Sequence, residues 1–383
     1  MRRRRLIHIA GSVTLALGLV ACADSGGAYY RSISTEDYPK PDAALGEKLA
    51  PDEIRSAARI SAIIEAHMRR LYASGTIRRD AHPKADGCVH AIFTVEPGLA
   101  APLGQGLFKT PHAYDAIIRF SNGNENPGRS DTKGDGRGMA IKVLGLPAAP
   151  LTQDPRGPAS QDFIMISHPT FLVADPTAYS TLISYVDSDN KLSDALSPVL
   201  TFLSLGWTGT KNAVATTSLR IDNPLNTRYW SMTPYQLGVG PGAVAVKYSA
   251  APCQPRPVVL PTTTDPNYLR HAMAASLAPG GQGVCMTFRV QPRTSPKMSV
   301  EDSRIEWLEA DAPFYTVATI TIPAQTFDTP EQNIACETMS YSPWHALAEH
   351  RPLGAVNRMR KVIYERISAI RRASPPPAGG AGA

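Results

Sequence analysis

Short alternating runs, with no regular helices between them, constrain the fold of this chain more than anything else in it. "CVHAIFTVE", "YDAIIRFSN", "GMAIKVLG", "QDFIMIS", "AVAVKYSA", "VCMTFRV" and "VATITIPAQTF" are strand-like, and proline and glycine punctuate the stretches between them. A period of two puts Cys88, His90 and Ile92 on one face of the first run. It puts Ile117, Arg119 and Ser121 together on the second, and Phe163, Met165 and Ser167 together on the fourth. Without intervening helices, parallel βαβ units are disfavoured. The pattern predicts an α+β protein in which a many-stranded antiparallel barrel or sandwich carries peripheral helices.

Two stretches read as helices packed on that core. "PDEIRSAARISAIIEAHMRRLYASG" has apolar residues every three or four positions, with Pro51 as a start signal and Gly75 as a stop. The other covers roughly residues 354 to 372, and residues 176 to 205 and 302 to 312 read as helix or loop. The chain opens with a basic segment, a short apolar stretch and then "LVAC". That order resembles a bacterial lipoprotein signal (residues 1–21) with Cys22 as the acylated first mature residue; cleavage near Ala21 or Ala23 as an ordinary signal peptide is the alternative. Residues 22–49, rich in Gly, Ser, Pro and Asp, read as a flexible tether, 50–373 as the folded domain, and 374–383 as a disordered tail. The expected address is the cell envelope, on the periplasmic face of the outer membrane if the host is Gram-negative.

Charge narrows the partners. There are 39 basic and 33 acidic residues, but four of the arginines are in the leader, which leaves 35 against 33. A near-neutral mature surface argues against nucleic acid as a partner. After Cys22 the cysteines are Cys88, Cys253, Cys285 and Cys336, too widely spaced for a CxxC redox motif or a zinc knuckle. They permit two disulfides in three connectivities, with a free buried thiol at Cys88 as the competing reading.

The chemistry begins in "RKVIYERISAIRR". Arg360, Tyr364 and Arg371 fall within about 40° of one another on one helix face at about 100° per residue, with Val356 and Ile367 beside them. Two guanidinium groups and a phenol on a partly apolar stripe call for a partner. A solvated basic helix with a packed tyrosine ring is the plainer reading. Upstream, "SNGNENPGRSDTKGDGRGMAIKV" is dense in Gly, Asn and Asp but has neither GxxxxGK[ST] nor GxGxxG, so it is not a nucleotide loop.

Taken together, these segments resemble the heme catalase family, in order along residues 50 to 375 and more thinly from 185 to 300. "VHA" looks like the strand of the distal histidine, which would make His90 the acid/base. "IRFSNGN…SDTKGDGRGMAIKV" is similar to the family's most recognisable stretch, with Arg119 on a heme propionate and Ser121 supporting the histidine. "DFIMISHPTFLVADP" resembles the segment of the distal asparagine, with Ser167 in the asparagine's place and Phe171 against the cofactor. "MSYSPWH" resembles the loop before the proximal helix. "RKVIY" matches Arg-x-x-x-Tyr, which implies Tyr364 as axial iron ligand, Arg360 as its partner and Arg371 on a second propionate. Tyrosine has a pKa of about 10. Ferric iron and a nearby guanidinium both favour the phenolate needed for ligation.

The resemblance thus implies a catalase-like antiparallel β-barrel with a C-terminal proximal helix and a non-covalent heme b. Its departures are Gly87, where the family carries an arginine, and Ser167; Lys84 is the nearest substitute for that arginine. The chain also leaves no room for the family's NADPH-binding and C-terminal extensions. The expected activity is that of a peroxidase or weak catalase reducing hydrogen peroxide or organic and lipid hydroperoxides. The alternatives are a fatty-acid hydroperoxide isomerase and a heme-free envelope lipoprotein with a binding or structural role. Acylation at Cys22 points to a monomer or simple dimer.

Overall fold

The computed structural model describes residues 33–375, apart from residue 74 and residues 187–190. The signal segment, Cys22 and the first part of the tether lie outside the described residues, as do residues 376–383 of the tail. All seven strand runs form strands: β1 (Ala85–Val95), β2 (Ala113–Asn122), β3 (Arg137–Leu144), β4 (Ser160–Ile166), β7 (Val244–Pro252), β8 (Val284–Pro292) and β9 (Tyr315–Ile322). Between them lie the short β5 (Tyr229–Trp230) and β6 (Tyr235–Leu237). Every pairing is antiparallel, in the order β5-β4-β3-β2-β1-β9-β8-β7-β6. Because β5 also pairs with β7, the sheet closes into a barrel of eight strands with β6 outside the ring. Closure leaves the eight-stranded ring itself no open edge.

Alternation sets what fills the barrel. In β1, Val89, Ala91, Phe93 and Val95 are buried inward, while His90, Ile92 and Thr94 are exposed on the outer face. Phe93, Phe108, Phe163, Tyr248 and Phe288 make the aromatic centre of this core, with ring centroids 4.6 to 6.5 Å apart.

Outside the barrel, four helices pack in succession. α1 (Glu53–Leu71) lies between α6 (Ala355–Ala373) and α2 (Pro176–Val186), and α2 packs on α3 (Lys191–Thr217). The α1–α6 seam buries Ile60, Ile64 and Met68 against Val356, Met359 and Ile367. α3 bends at Gly206, whose φ of 63° is not helical. Residues 302–312 form turns. Two helices were not expected, α4 (Tyr268–Ser276) and α5 (Pro330–Thr338). α5 is announced by "TPEQ", in which Thr329 and Gln332 form a reciprocal capping box with Pro330 in the first turn.

The tether is shorter than residues 22–49. From Ile33 onward the chain packs on α1 and α6, Tyr38 is buried, and its hydroxyl donates to Glu53. The cause is Arg358 on α6, fully buried, which donates to Glu47, Glu53 and Glu301 at 2.7 to 3.0 Å. Glu47 can neutralise it only if residues 33–49 come down onto the helix. Both disulfides are present, Cys88–Cys336 and Cys253–Cys285. The first fastens α5 to the outer face of β1.

Candidate cofactor site

In an antiparallel pair, residues directly opposite one another share a face. Arg119 on β2 sits opposite Ala140 on β3, and Ala140 opposite Ile164 on β4. One step further, Ser121 faces Gly138, and Gly138 faces Ile166. These two rows are the floor of a cavity on the outside of the barrel, roofed by α1, α2 and α6.

His82 stands over this floor, in the loop ahead of β1. Its φ of 60° is a left-handed conformation that costs a non-glycine residue energy and occurs where surrounding contacts impose it. Those contacts are present. Its Nδ1 lies 3.1 Å from Ser121 Oγ, and its carbonyl accepts from Arg119 Nη2 at 2.7 Å. A Cβ on Gly138 would come within 2.6 Å of Nδ1 and 2.7 Å of Cε1, so only glycine lets the ring lie there. Burial, then the charges of Arg119 and Arg360, push its pKa down to about 4. A hydrogen bond to the Asn122 main chain opposes this only in part, so His82 is neutral at pH 7.

The opposite wall is α6, which presents Arg360, Tyr364, Ile367 and Arg371 to the cavity. The guanidinium carbon of Arg360 lies 5.8 Å from the centroid of the Phe171 ring, and its Nη1 reaches Thr233 and Asn357 at 3.4 Å. At one end of the cavity Arg79, Arg119 and Arg371 gather near the single carboxylate of Glu337. Burial, then the neighbouring Arg79, lowers the pKa of Arg119 and of Arg371 to about 9. Burial alone would raise Glu337, but Arg79 and then Arg119 hold it below the usual carboxylate range. Arg119 Nε, Arg371 Nε and the Tyr341 hydroxyl are buried without a hydrogen-bond partner. Three guanidiniums against one carboxylate, with donors unused, are complementary to a ligand bearing more than one negative charge.

Ser121, Arg119, Phe171, Arg360, Tyr364 and Arg371 all line this one cavity. His90 and Ser167 do not. His90 shares the outer face of the sheet but lies beyond the Cys88–Cys336 bridge and α5, exposed, its main chain bracketed by Gln325. Ser167 continues the inward side of β4, where its Oγ accepts from the Arg137 N–H at 2.9 Å. At the cavity floor the β4 side chains are Ile164 and Ile166. Lys84 is spent on Asp131 at 2.7 Å and cannot reach the cavity, and a side chain at Gly87 would collide with Phe327.

Sequence reasoning missed His82, Arg79 and Asp80, all within "RRDAHPK". A loop has no period, and the only local signal was a histidine before proline next to paired arginines. Asp80 also lines the cavity, and burial raises its pKa to about 6.

A closed antiparallel barrel, with a cavity between its outer face and a C-terminal helix bearing Arg-x-x-x-Tyr, defines an α+β protein of catalase-like architecture. Solved structures agree. A fungal catalase is 15% identical with a TM-score of 0.59, over 88% of this chain and 69% of its own. Catalase A from Saccharomyces cerevisiae is 16% identical with a TM-score of 0.58, over 88% and 71%. A bacterial catalase is 17% identical with a TM-score of 0.57, over 92% and 68%. No family model and no curated protein matches the chain. The chain has the catalase fold.

Proposed function

We propose that the cavity holds a non-covalent b-type heme and that the protein is a peroxidase or weak catalase. The observation that carries this is the facing of two walls across one cavity. His82 on Ser121 stands on one side, Arg360 and Tyr364 on the other, and the guanidiniums of Arg119 and Arg371, each with an unpartnered Nε, lie at the end. Tyr364 is the group for ferric iron, with Arg360 one helical turn before it on the same wall of the cavity. Arg119 and Arg371, with Arg79 beside them, suit two propionate carboxylates, which would use the idle Nε donors. When bound, the heme supplies the redox chemistry for cleaving the peroxide O–O bond.

His82 takes the part expected of His90. Neutral and held by Ser121, it accepts the hydroperoxide proton at Nε2 and returns it to the departing oxygen. The rest of the floor is Ala140, Ile164 and Ile166, with Ile64 above, which welcomes an organic substituent and offers few donors to hydrogen peroxide. This favours organic and lipid hydroperoxides. An isomerase acting on the same substrates would give an epoxide or hydroxy product without added reductant. The leader, Cys22 and the two disulfides support a place in the oxidising cell envelope.

The test is hydroperoxide consumption by heme-loaded full-length protein. His82→Ala should lower it by roughly 10²–10⁴-fold, the usual share of general acid–base catalysis, and His90→Ala should leave it unchanged. Undiminished turnover in His82→Ala would refute the acid/base role.

A further inference from the structure

Beyond the cavity, the least explained surface is the bend of α3. Phe202 is 44% exposed, Leu203 70% and Trp207 76%, all within one turn or so of Gly206. The bend is firmly seated all the same. Leu205 is buried against Val173 and Leu182, and Asn212 Nδ2 donates to the carbonyls of Phe171 and Arg304. A Cβ at Gly209 would meet the Leu172 carbonyl at 2.4 Å, so the helix lies directly on the loop that follows β4. A rigid element therefore presents large apolar side chains to water.

We infer that the α3 bend is a membrane-docking surface, with the head-group region of a phospholipid bilayer as its occupant. Its composition is interfacial. Trp207, Lys211 and Val214, at i, i+4 and i+7, are all exposed and form a stripe with an aromatic and a cation beside apolar groups. No helix among the described residues is long and apolar enough to cross a bilayer, so the contact is peripheral.

The chain outside the described residues points the same way. Its apolar leader and Cys22 end only eleven residues before Ile33, a span of at most about 35–40 Å when extended. Ile33 packs at the α1–α6 seam, α2 touches both of those helices, and α3 packs on α2. At 8–10 Å between helix axes, α3 lies at most roughly 20–30 Å from that seam. An anchor at Cys22 and the α3 bend can thus meet one membrane. Leu205, behind the bend, packs with Phe171 and Tyr179, which line the cavity, so docking brings lipid within one side-chain layer of it. The surface is independent of any chemistry in the cavity.

The experiment uses the full chain mixed with vesicles of phosphatidylethanolamine and phosphatidylglycerol in equal parts. The other tryptophans are buried or half-buried, so the difference between wild-type and Trp207→Phe emission isolates Trp207. Docking predicts a blue shift of that component, quenching by brominated lipid and protection from acrylamide. Leu203→Asp should weaken vesicle partitioning roughly ten- to a hundredfold, as expected for a leucine withdrawn from an apolar contact. A Trp207 component that stays open to acrylamide and untouched by brominated lipid would overturn the inference. So would protection that depends on protein concentration and not on vesicles, which would make a second copy the occupant.

Discussion

Gly138→Ala probes the geometry of the site with a single methyl group. The new Cβ would lie 2.6 Å from His82 Nδ1, 2.7 Å from its Cε1 and 2.7 Å from Ser121 Oγ. Unstrained contact needs about 3.5 Å, so something must give by roughly 0.8 Å. β3 cannot retreat, because it is paired with β2 at Ser121 and with β4 at Ile166. The imidazole must move, and the 3.1 Å contact with Ser121 is lost. Overpacking of this kind costs about 1–3 kcal/mol, measurable by urea unfolding. A reacting group displaced by about 1 Å costs on the order of 10²-fold in rate, read as hydroperoxide consumption by the heme-loaded protein. Ser121→Ala in the same chain removes one of the three clashes and should restore part of the stability. Wild-type stability together with full turnover in Gly138→Ala would refute the placement of His82.

Arg358→Ala leaves the buried carboxylate of Glu53 without its cation and Glu47 with Arg351 alone, and should cost about 3–5 kcal/mol, with residues 33–48 becoming sensitive to protease. Asp86 is buried with both carboxylate oxygens unpartnered, and burial, then the charge of Asp131, raises its pKa to about 7. The folded chain therefore keeps a proton that the unfolded chain releases near its ordinary pKa, so stability falls as pH rises from about 4 to 7. Asp86→Asn should remove that slope and raise stability above pH 7 by up to about 4 kcal/mol, with no gain below pH 4, as urea unfolding across pH will show. Replacing Cys88 and Cys336 by serine should lower stability by about 2–5 kcal/mol and loosen α5 from β1 in hydrogen exchange.

The strands were legible because a half-buried sheet imposes a period of two, and α6 because Arg360, Tyr364 and Arg371 share a helical face. Periodicity left barrel and sandwich open, since closure depends on β5, a strand of two residues whose partners lie far apart in sequence; the family resemblance indicated the barrel. Half of the cavity could be read for a related reason. Arg119 and Ser121 sit on a strand and Tyr364 on a helix, so period fixes their direction. His82 sits in a loop and is placed by tertiary contacts with Ser121, Arg119 and Gly138. His90 lay in a well-formed strand and had the right face, but period says nothing of the disulfide and helix that separate it from the cavity. The tether was misread at its far end because the demand for Glu47 comes from Arg358, 311 residues away.

The most direct test of the account is titration of the apo-protein with ferric heme, followed by absorption and electron paramagnetic resonance. Saturable binding of a single heme with a high-spin ferric spectrum of tyrosinate type is expected, and a changed spectrum in Tyr364→Phe. Failure to saturate, or a Tyr364→Phe spectrum identical to wild type, would contradict it.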